Sequence, residues 1–552
     1  MFRFFQSLAL GLLAGAACAS GASFNVLNFG AHSDGSAFST QAIQAAIQAA
    51  KAAGGGTVFI PAGQYLTGPI QLVSHLTLDI SAGAVLRFPA ARLPYAKGRQ
   101  QGIECLAPIP LVGAQDVEDV TITGRGVLTT DNADWVKLMG GPQPRTAAST
   151  GSAFGPDWNH LLELLQVRTP QPEAEYRKVA PFLRPAFVRT MDSKNVLIEG
   201  IHIVGSPFWT IHLLYSQNVM VRDVTLETFP GAFTGGIYID SSRDVRVSGC
   251  YFDDGDDAIT LKAGKDADGL RVNRPTENVS ITNCVIHRGS GAIVMGSETS
   301  GRIRNVVVSN VVCQGTQMGI NIKSERGRGG GVENVRIDNL TMDDVGKAIS
   351  VSQYYQMQGE TAAGAEPVSP RTPVFRDIAI SNVTISHSRG ATNFGWNPVS
   401  ISGNKPQPPV TVDIEGLPEM PIAGLRISNV FAIGKGGLRA HHTSGLQLHH
   451  IQMDAESGPA FLIRDSTDLE LDGVSTQHPL PETPVVRLDR CPGAVVRGSR
   501  AFAGTDTFLS VGPAESKTVT LEGNALGKAR HATRESAEDF WKAVNAASGG
   551  GR

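Results

Sequence analysis

The segment Asn195-Val196-Leu197-Ile198-Glu199-Gly200-Ile201 is an early, clear copy of a unit that recurs along the chain. It returns as Asn218-Val219-Met220-Val221-Arg222-Asp223-Val224 and as Asp244-Val245-Arg246-Val247-Ser248-Gly249-Cys250. Each unit opens with a turn-forming residue and continues with apolar side chains at alternate positions, the pattern of a β-strand with one buried face. Further copies begin at Asn278, Asn305, Asn334, Asp377, Gly424, Gly445, Asp468 and Gly493.

The copies follow one another at intervals of about 20 to 30 residues. β-Patterned units at such an interval indicate a solenoid, in which each unit buries its apolar face only against its neighbours. A leucine-rich horseshoe is excluded because its leucine spacing is missing. The pattern therefore predicts an all-β fold, a single-stranded parallel β-helix with one unit in each coil. Cys250 and Cys284 occupy equivalent positions in successive units, as residues stacked inside the coil would.

A short amphipathic segment near the start is predicted to be a helix that caps one end of this body. It covers about 40–53, with Ile43 and Ile47 one turn apart on an apolar stripe. Thr40 is the expected N-cap residue, and Gly54-Gly55-Gly56 is expected to end the helix.

Longer spacings interrupt the repeat and are interpreted as loops that leave the coil. A single β-helix domain over 23–530 is therefore predicted. Its insertions lie at about 135–178, 356–373 and 395–421. Insertions in a solenoid usually surround its binding face. Within the first, Trp158 to Val167 is predicted to form a short helix that is either a flap or a substrate gate. The segment 531–552 is predicted to form a helix from Ser536 and then a flexible tail.

Composition excludes several classes of function. A net charge of -3 with 18% charged residues is ordinary for a globular protein and gives no support for nucleic-acid binding. The 62 Gly and 31 Pro indicate many tight turns between short buried strands. Beyond the first residues no run is apolar enough to span a bilayer. Neither nucleic acid nor a membrane is expected as a partner, and a monomer is expected.

Residues 1–19 have the pattern of a cleaved secretory signal peptide, with Arg3, an apolar run from Leu8 to Leu13, and Ala17-Cys18-Ala19. The mature protein is therefore expected to be secreted or periplasmic. Five scattered cysteines remain, which are not a disulfide framework and are interpreted as mostly buried packing residues. They are Cys105, Cys250, Cys284, Cys313 and Cys491. No Cys/His spacing indicates a metal site, so neither a metal nor a cofactor is expected.

The stretch Gly255-Asp256-Asp257-Ala258-Ile259-Thr260-Leu261-Lys262 sets two adjacent acids in a strand-like run. Neighbouring residues of a regular strand point to opposite faces, so both carboxylates can share a site only if the backbone leaves strand geometry. Gly255 permits that departure. On the pair alone, a solvated acidic turn is the simpler interpretation. The surrounding motifs favour a site.

Several motifs stand in one register around this pair. They are Phe29-Gly30-Ala31 with Asp34-Gly35, Gly205-Ser206-Pro207-Phe208-Trp209-Thr210-Ile211-His212, Asp240-Ser241-Ser242-Arg243-Asp244-Val245, Arg274-Pro275-Thr276-Glu277-Asn278, Met295-Gly296-Ser297-Glu298-Thr299-Ser300-Gly301, and Lys323 with Arg326-Gly327-Arg328-Gly329-Gly330. Together with the acid pair they resemble the polygalacturonases, family 28 of the glycoside hydrolases, from roughly Phe24 to Met357. The later coils fit only as general β-helix.

The resemblance implies a right-handed parallel β-helix whose cleft hydrolyses α-linked galacturonic acid or related pectic sugars with inversion. By resemblance, Asp256 matches the general acid and Asp257 one of two carboxylates that hold the attacking water. Inverting hydrolysis needs one protonated and one ionised carboxyl, and adjacent acids help because each ionised partner raises the other's pKa. Lys323 matches a lysine that binds a substrate carboxylate; taken alone, it is as readily a surface lysine.

Three positions depart from the family pattern. The Asn-Thr-Asp-Gly motif falls on Phe233-Thr234-Gly235-Gly236, so the other water-holding carboxylate is absent. The Gly-His-Gly motif falls on Gly289-Ser290-Gly291, and Arg-x-Lys falls on Asn321-Ile322-Lys323, without the bidentate arginine. Ser290 and Asn321 are therefore expected in the substrate site.

Two hypotheses follow. In the first, the protein is a hydrolase with Asp256 as acid and Asp257 as base, assisted by Asp240 or Asp254, and the departures reflect a different neighbouring sugar such as rhamnose. For Asp240 a turn or ladder role is the alternative. In the second, the protein is an inactive glycan-binding β-helix. The first is favoured because the adjacent acids, the most exacting part of the site, are intact.

Other candidate residues have weaker support. Phe208, Trp209, Tyr238 and His212 either stack on sugar rings or pack in the coil. His441-His442 and His449-His450 are interpreted as surface residues and not metal ligands. A β-eliminating polysaccharide lyase of this architecture would need a calcium-binding acidic cluster and a cationic base, and the motifs assemble neither.

Overall fold

A computed structural model describes residues 21–139, 183–231, 233–355, 364–390, 408–513 and 515–536, together with residues 160, 175 and 178. The predicted signal peptide, most of the first insertion including its predicted helix, and the C-terminal segment from 537 lie outside these residues. In the described part of the chain, no helix is long and apolar enough to cross a bilayer.

The protein is a right-handed parallel β-helix, as the repeat and the resemblance predict. Two long sheets form its walls. Within each sheet the strands pair in parallel with their neighbours. Sheet 1 consists of Ser23–Asn25, Asp34–Phe38, Gly56–Ile60, Gly63–Leu66, Leu76–Ile80, Ala84–Arg87, Glu118–Gly124, Val127–Thr129, Lys194–Glu199, His202–Val204, Gln217–Arg222, Thr225–Glu227, Arg243–Ser248, Tyr251–Asp253, Thr276–Arg288, Ile303–Gln314, Gly331–Asp343, Val374–Ser388, Ile422–Ala423, Arg426–Gly434, Thr443–Ser444, Gln447–Ala455, Glu470–Asp472, Val495–Arg497 and Thr520–Glu522.

Sheet 2 carries the candidate site on its outer face. Its strands are Ile70–Gln71, Val112–Gln115, Val188–Met191, Ile211–Leu214, Ile237–Asp240, Ile259–Lys262, Gly291–Gly296, Met318–Lys323, Lys347–Ser352, Val412–Glu415, Leu438–His441, Phe461–Arg464, Val486–Asp489, Thr507–Val511 and His531–Glu535. An antiparallel hairpin, Tyr95–Gln100 with Ile103–Pro108, stands apart from both sheets. The α-helices described are Thr40–Ala52, Asn132–Met139 and Asp266–Val272, and 3-10 turns occupy Val26–Phe29 and Glu515–Lys517.

The turn-forming residue that opens each repeat has a direct structural role. Asn195, Asn218 and Asp244 have φ of 54°, 52° and 58°, a left-handed conformation that Asn and Asp tolerate better than most residues. Their side chains form a ladder between coils; the Asn218 amide, for example, donates to Asn195 Oδ1 at 2.8 Å. The alternating apolar residues that follow fill a continuous core and are almost fully buried. Local sequence thus sets both the turn and the inward face.

The stacked-cysteine prediction is confirmed. Tyr251 pairs with Val285 in register, which aligns the preceding Cys250 and Cys284 on adjacent coils. All five cysteines of the described residues are buried and free. They pack in the coil, as interpreted from the sequence.

Three details of the sequence interpretation need correction. The helix N-cap is Ser39, one residue earlier than predicted, because Thr40 Oγ1 instead accepts the backbone N–H of Gly68 at 2.6 Å. The third predicted insertion, 395–421, includes a coil strand, Val412–Glu415, whose apolar residues at alternate positions enter the core. The last strand, His531–Glu535, extends past the predicted boundary at 530 by pairing with Thr507–Val511.

Candidate active site

Outward-facing side chains of sheet 2 form rows in which each residue stands beside its counterpart on the next coil. His212 is in register with Tyr238, and Tyr238 with Thr260. Asp240 is in register with Lys262, and Gly296 with Lys323. Residues far apart in sequence are therefore side by side on one face, as the β-helix prediction requires.

The acid pair lies in the turn that leads into the strand Ile259–Lys262. Gly255 is required there for space: a Cβ on it would lie 2.0 Å from the Gly231 carbonyl oxygen and 2.5 Å from Thr234 Oγ1. The turn is therefore packed directly against the preceding coil. Glycine is therefore needed at 255 for this close approach, and not for the backbone freedom expected from the sequence.

Asp257 is held by a cation from two coils further along the chain. Lys323 Nζ donates to Asp257 Oδ2 at 3.1 Å, and the two residues are 8% and 6% exposed. Burial alone would lower the pKa of Lys323, but the Asp257 carboxylate raises it above its usual range. Lys323 is thus a buried partner of an acid and not a surface lysine.

Asp256 is the more exposed of the two acids and is half-buried. Burial, and then the neighbouring Asp257 carboxylate, raise the pKa of Asp256 to about 6. Lys323 opposes this shift from beside Asp257. Of the two adjacent carboxyls, Asp257 is therefore bonded to a cation, whereas Asp256 retains its proton to a higher pH than an ordinary aspartate does.

The two suggested auxiliary acids are buried in other arrangements. Asp240 is fully buried, with Oδ1 2.7 Å from Arg99 Nη1 and Oδ2 3.4 Å from His212 Nε2. Although burial opposes ionisation, the Arg99 cation lowers the pKa of Asp240 to about 2. Burial raises the pKa of Asp254 well above its usual range, and its carboxyl accepts a bond from Thr228 Oγ1 at 3.0 Å. Asp240 is thus the buried ion-pair partner of Arg99, and Asp254 is a buried hydrogen-bond partner of Thr228.

The aromatic residues beside the acids pack on one another. Trp209 stacks on Tyr238 at 4.2 Å between ring centroids and on Phe208 at 5.1 Å. His212 meets Trp209 edge-on, and these four rings are each at most 3% exposed. The geometry favours coil packing over stacking on a sugar.

Ser290 lies close to the acid pair, and Asn321 lies on the same sheet. The Ser290 backbone N–H donates to the Asp256 carbonyl oxygen at 3.0 Å. A Cβ on the next residue, Gly291, would lie 2.9 Å from Asp257 Oδ1. Asn321 is 6% exposed, in register with Val294 and two residues before Lys323. The structure thus brings together Asp256, Asp257, Ser290 and Lys323, with Asn321 beside them.

Several charged neighbours of the site were not found from the sequence. Lys262 and Glu298 form a buried ion pair, and Lys262 Nζ lies 5.4 Å from the Trp209 ring centroid. Arg184 is buried near Asp256; burial lowers the pKa of Arg184 to about 10, and the Asp256 charge opposes that shift. Glu298 belongs to a motif quoted for the resemblance, but no repeat pattern indicated Lys262 or Arg184.

The late histidines differ in part from their interpretation as surface residues. His441 is 2% exposed and contacts the Tyr354 ring. His449 lies with Glu470 and Asp472, whose ligand-capable atoms are within 4.8 Å of one another. Arg497 forms ion pairs with both of those carboxylates, which accounts for their proximity without an ion.

Comparison with known proteins finds similarity to glycosyl hydrolases. Residues 178–419 match the family described as "Glycosyl hydrolases family 28", and residues 23–79 match "Rhamnogalacturonase A/epimerase, pectate lyase-like". A "Probable polygalacturonase" of Vitis vinifera is 27% identical over 418 residues, which are 69% of this chain and 78% of that protein. An "Exo-poly-alpha-D-galacturonosidase" of Dickeya chrysanthemi is 28% identical over 383 residues, 66% of this chain and 62% of that protein.

Among solved structures, a hyperthermoactive exopolygalacturonase from Thermotoga maritima is 30% identical, with a TM-score of 0.62. The match covers 75% of this chain and 87% of that one.

Proposed function

The chain belongs to family 28 of the glycosyl hydrolases, and from this premise we propose that it hydrolyses α-linked galacturonic acid in pectic polysaccharide or oligosaccharide with inversion of configuration. The named activities of its relatives in Vitis vinifera, Dickeya chrysanthemi and Thermotoga maritima support the substrate class. Family membership also disfavours the inactive glycan-binding alternative.

The observation that carries the mechanism is the unequal environment of the two adjacent acids. Asp256, with its pKa raised to about 6, holds the proton that the leaving glycosidic oxygen needs. Asp257, bonded to Lys323, is the base. A water oxygen bonds to the anomeric carbon as the glycosidic C–O bond breaks. Asp257 takes one proton from that water, and Asp256 gives its proton to the departing oxygen.

Lys323 has two roles to fill in this proposal. In the free protein its ammonium group contacts Asp257, whereas the resemblance assigns it to a substrate carboxylate. One ammonium has three donor protons and can serve both acceptors at once. Asn321 and Ser290, which stand where the family has an arginine and a histidine, reduce the positive charge of the site. This favours a single carboxylate-bearing sugar beside the scissile bond.

The test compares the wild-type protein with Asp256→Asn on polygalacturonan, rhamnogalacturonan and short galacturonate oligomers, following new reducing ends. Loss of the acid is expected to lower kcat by about 10²- to 10⁴-fold. Asp343→Asn is the matched control, because Asp343 is an exposed acid on sheet 1. If the wild-type protein releases no more product than Asp256→Asn from any of these substrates, the proposal fails.

Export is a further part of the proposal, supported by the signal-like residues 1–19. Expression of the full chain in a Gram-negative host, followed by fractionation and N-terminal sequencing, tests it. A mature protein beginning close to residue 20 in the periplasm or medium is expected. An uncleaved protein confined to the cytosol would contradict export.

A further inference from the structure

The space beside Gly235 is filled by the hydroxyl group of Tyr238. A Cβ on Gly235 would lie 2.3 Å from Tyr238 Oη and 2.4 Å from the Asp257 carbonyl oxygen. Any side chain at 235 would therefore need both Tyr238 and the backbone at Asp257 to move. A phenol oxygen occupies the position toward which a side chain at 235 would point, directly beside the turn that carries the acid pair.

This phenol is held firmly. Tyr238 is 1% exposed, and its ring lies almost parallel to that of Trp209, with 9° between their planes. The backbone around it is fixed to the acid turn, because Gly236 N–H donates to the Asp257 carbonyl oxygen at 3.0 Å and Ile237 N–H to the Ala258 carbonyl oxygen at 2.7 Å. The hydroxyl group thus has a defined position relative to both acids.

The phenol also stays protonated. Burial first, and then the neighbouring Asp256 and Asp257 carboxylates, raise the pKa of Tyr238 well above its usual value. A neutral phenol has one proton to donate in a hydrogen bond and an oxygen that can accept one. It can therefore accept a hydrogen bond from a water molecule while its own proton points to a carboxylate.

We propose that Tyr238 Oη is the second group that holds the attacking water, beside the base Asp257. This inference rests on the proposed function and adds a residue to it. Asp257 accepts the water proton that is transferred, and Tyr238 Oη accepts a hydrogen bond from the proton that remains on the new hydroxyl group. Tyr238 neither gains nor loses a proton. One carboxylate and one phenol thus hold the water here, in place of the two carboxylates of the family pattern.

The primary test is Tyr238→Phe, which retains the ring stack and removes only the hydroxyl group. We expect kcat to fall about 10²-fold with little change in KM, the lower end of the range seen when one preorganised hydrogen-bonding group is removed from an active site. Tyr65→Phe is the matched control, because Tyr65 is also 1% exposed and its hydroxyl donates to the Pro61 carbonyl at 2.9 Å, far from the acids in sequence. Its kcat is expected to equal that of the wild type.

A second comparison separates a role in holding water from a role in packing. Tyr238→Phe keeps the ring that stacks on Trp209, whereas Tyr238→Ala removes the ring together with the hydroxyl group. If the hydroxyl group holds the water, Tyr238→Phe is expected to lose kcat while its unfolding temperature stays near that of the wild type, whereas a packing role predicts loss of activity only in Tyr238→Ala.

The inference is overturned if Tyr238→Phe keeps the wild-type kcat, or if only its KM changes. It is equally overturned if Tyr238→Phe loses kcat only in proportion to a fall in its unfolding temperature. In each case the wild-type protein still releases reducing ends. A wild-type protein without activity is a different result, which overturns the proposed function itself.

Discussion

Lys323 Nζ lies 3.1 Å from Asp257 Oδ2, although the two residues come from coils separated by an intervening one. Both side chains are almost fully buried, so their attraction is weakly screened by solvent. In the proposed mechanism this ion pair holds Asp257 as the base beside Asp256, whose pKa is raised to about 6. The functional assignment of the acid pair therefore depends on a residue 66 positions away in the sequence.

Replacing Lys323 by methionine tests this dependence. Lys323 lowers the pKa of Asp256, so without the cation that pKa rises and the alkaline limb of the kcat profile is expected to move to higher pH. We also expect kcat at its optimum to fall by about 10²-fold. The profile of kcat between pH 3 and 8 is the measurement.

Lys347→Met is the control for Lys323→Met. Lys347 is in register with Met318 on the same sheet and pairs with Asp413 instead of the catalytic acids. Its alkaline limb should stay where the wild type has it. A Lys323→Met profile that keeps the wild-type alkaline limb, with only KM for the uronate substrate raised, would show that Lys323 serves the substrate alone.

The alkaline limb of the profile should report Asp256. This group must hold a proton to act as acid, and its pKa is raised to about 6. We therefore expect kcat/KM, which reports the free enzyme, to be half-maximal near pH 6 and to fall tenfold per pH unit above it. A kcat/KM that stays constant up to pH 8 would mean that Asp256 is not the acid.

The same raised pKa predicts a pH-dependent effect of Asp256→Asn on stability. Between pH 4 and 6 the folded protein retains the Asp256 proton while the unfolded chain has released it, so this group makes stability fall as pH rises. The asparagine variant lacks this loss. Compared with the wild type, the variant should therefore be more stable at pH 7 than at pH 4. The difference between the free energies of unfolding of the two proteins should change by about 1 to 3 kcal/mol between these pH values.

Urea denaturation at the two pH values measures this difference. Asp343→Asn, which removes an exposed carboxylate on sheet 1, is measured beside it as the control for the loss of one acid. An Asp256→Asn variant whose relative stability does not change with pH would contradict the raised pKa.

Asp240→Asn separates a structural role from an auxiliary catalytic one. The Arg99–Asp240 pair has both side chains fully buried, and it ties the hairpin Tyr95–Pro108 to sheet 2. Removing the carboxylate leaves a buried guanidinium uncompensated and is expected to cost about 3 to 5 kcal/mol of stability. The kcat of the folded fraction should change little.

Unfolding curves and kcat on the same samples distinguish the two roles of Asp240. Glu199→Gln removes the carboxylate of a half-exposed pair with Arg222 and should cost at most about 1 kcal/mol. A large fall in kcat without loss of stability in Asp240→Asn would make Asp240 part of the catalytic machinery.

The fold could be predicted because a solenoid is built from local relations. The residue that opens each repeat adopts a left-handed turn, and the alternation that follows determines the inward face. Each coil then meets only its neighbours, so no distant contact is needed to infer the architecture. The predicted N-cap, Thr40, is one residue later than the observed one. Thr40 Oγ1 accepts a hydrogen bond from the distant residue Gly68, which the local sequence pattern does not reveal.

The candidate site could be predicted only in part. The motif positions of Asp256, Asp257 and Lys323 follow from the sequence, but the contact between Lys323 and Asp257 depends on how the coils stack. The exclusion of a side chain at Gly235 by Tyr238 is likewise a matter of three-dimensional space. Arg99 reaches Asp240 across 141 residues from a hairpin outside the repeat, so no periodic pattern could reveal it.

The most direct test of the central claim follows the stereochemistry of the product. Proton NMR of a galacturonate oligomer during the first minutes of hydrolysis distinguishes the anomer released by the enzyme from the one formed by later mutarotation. Direct attack of water held by Asp257, with Asp256 as acid, predicts that the β-anomer appears first from the α-linked substrate. The α-anomer appearing first would require a covalent intermediate and would contradict this account.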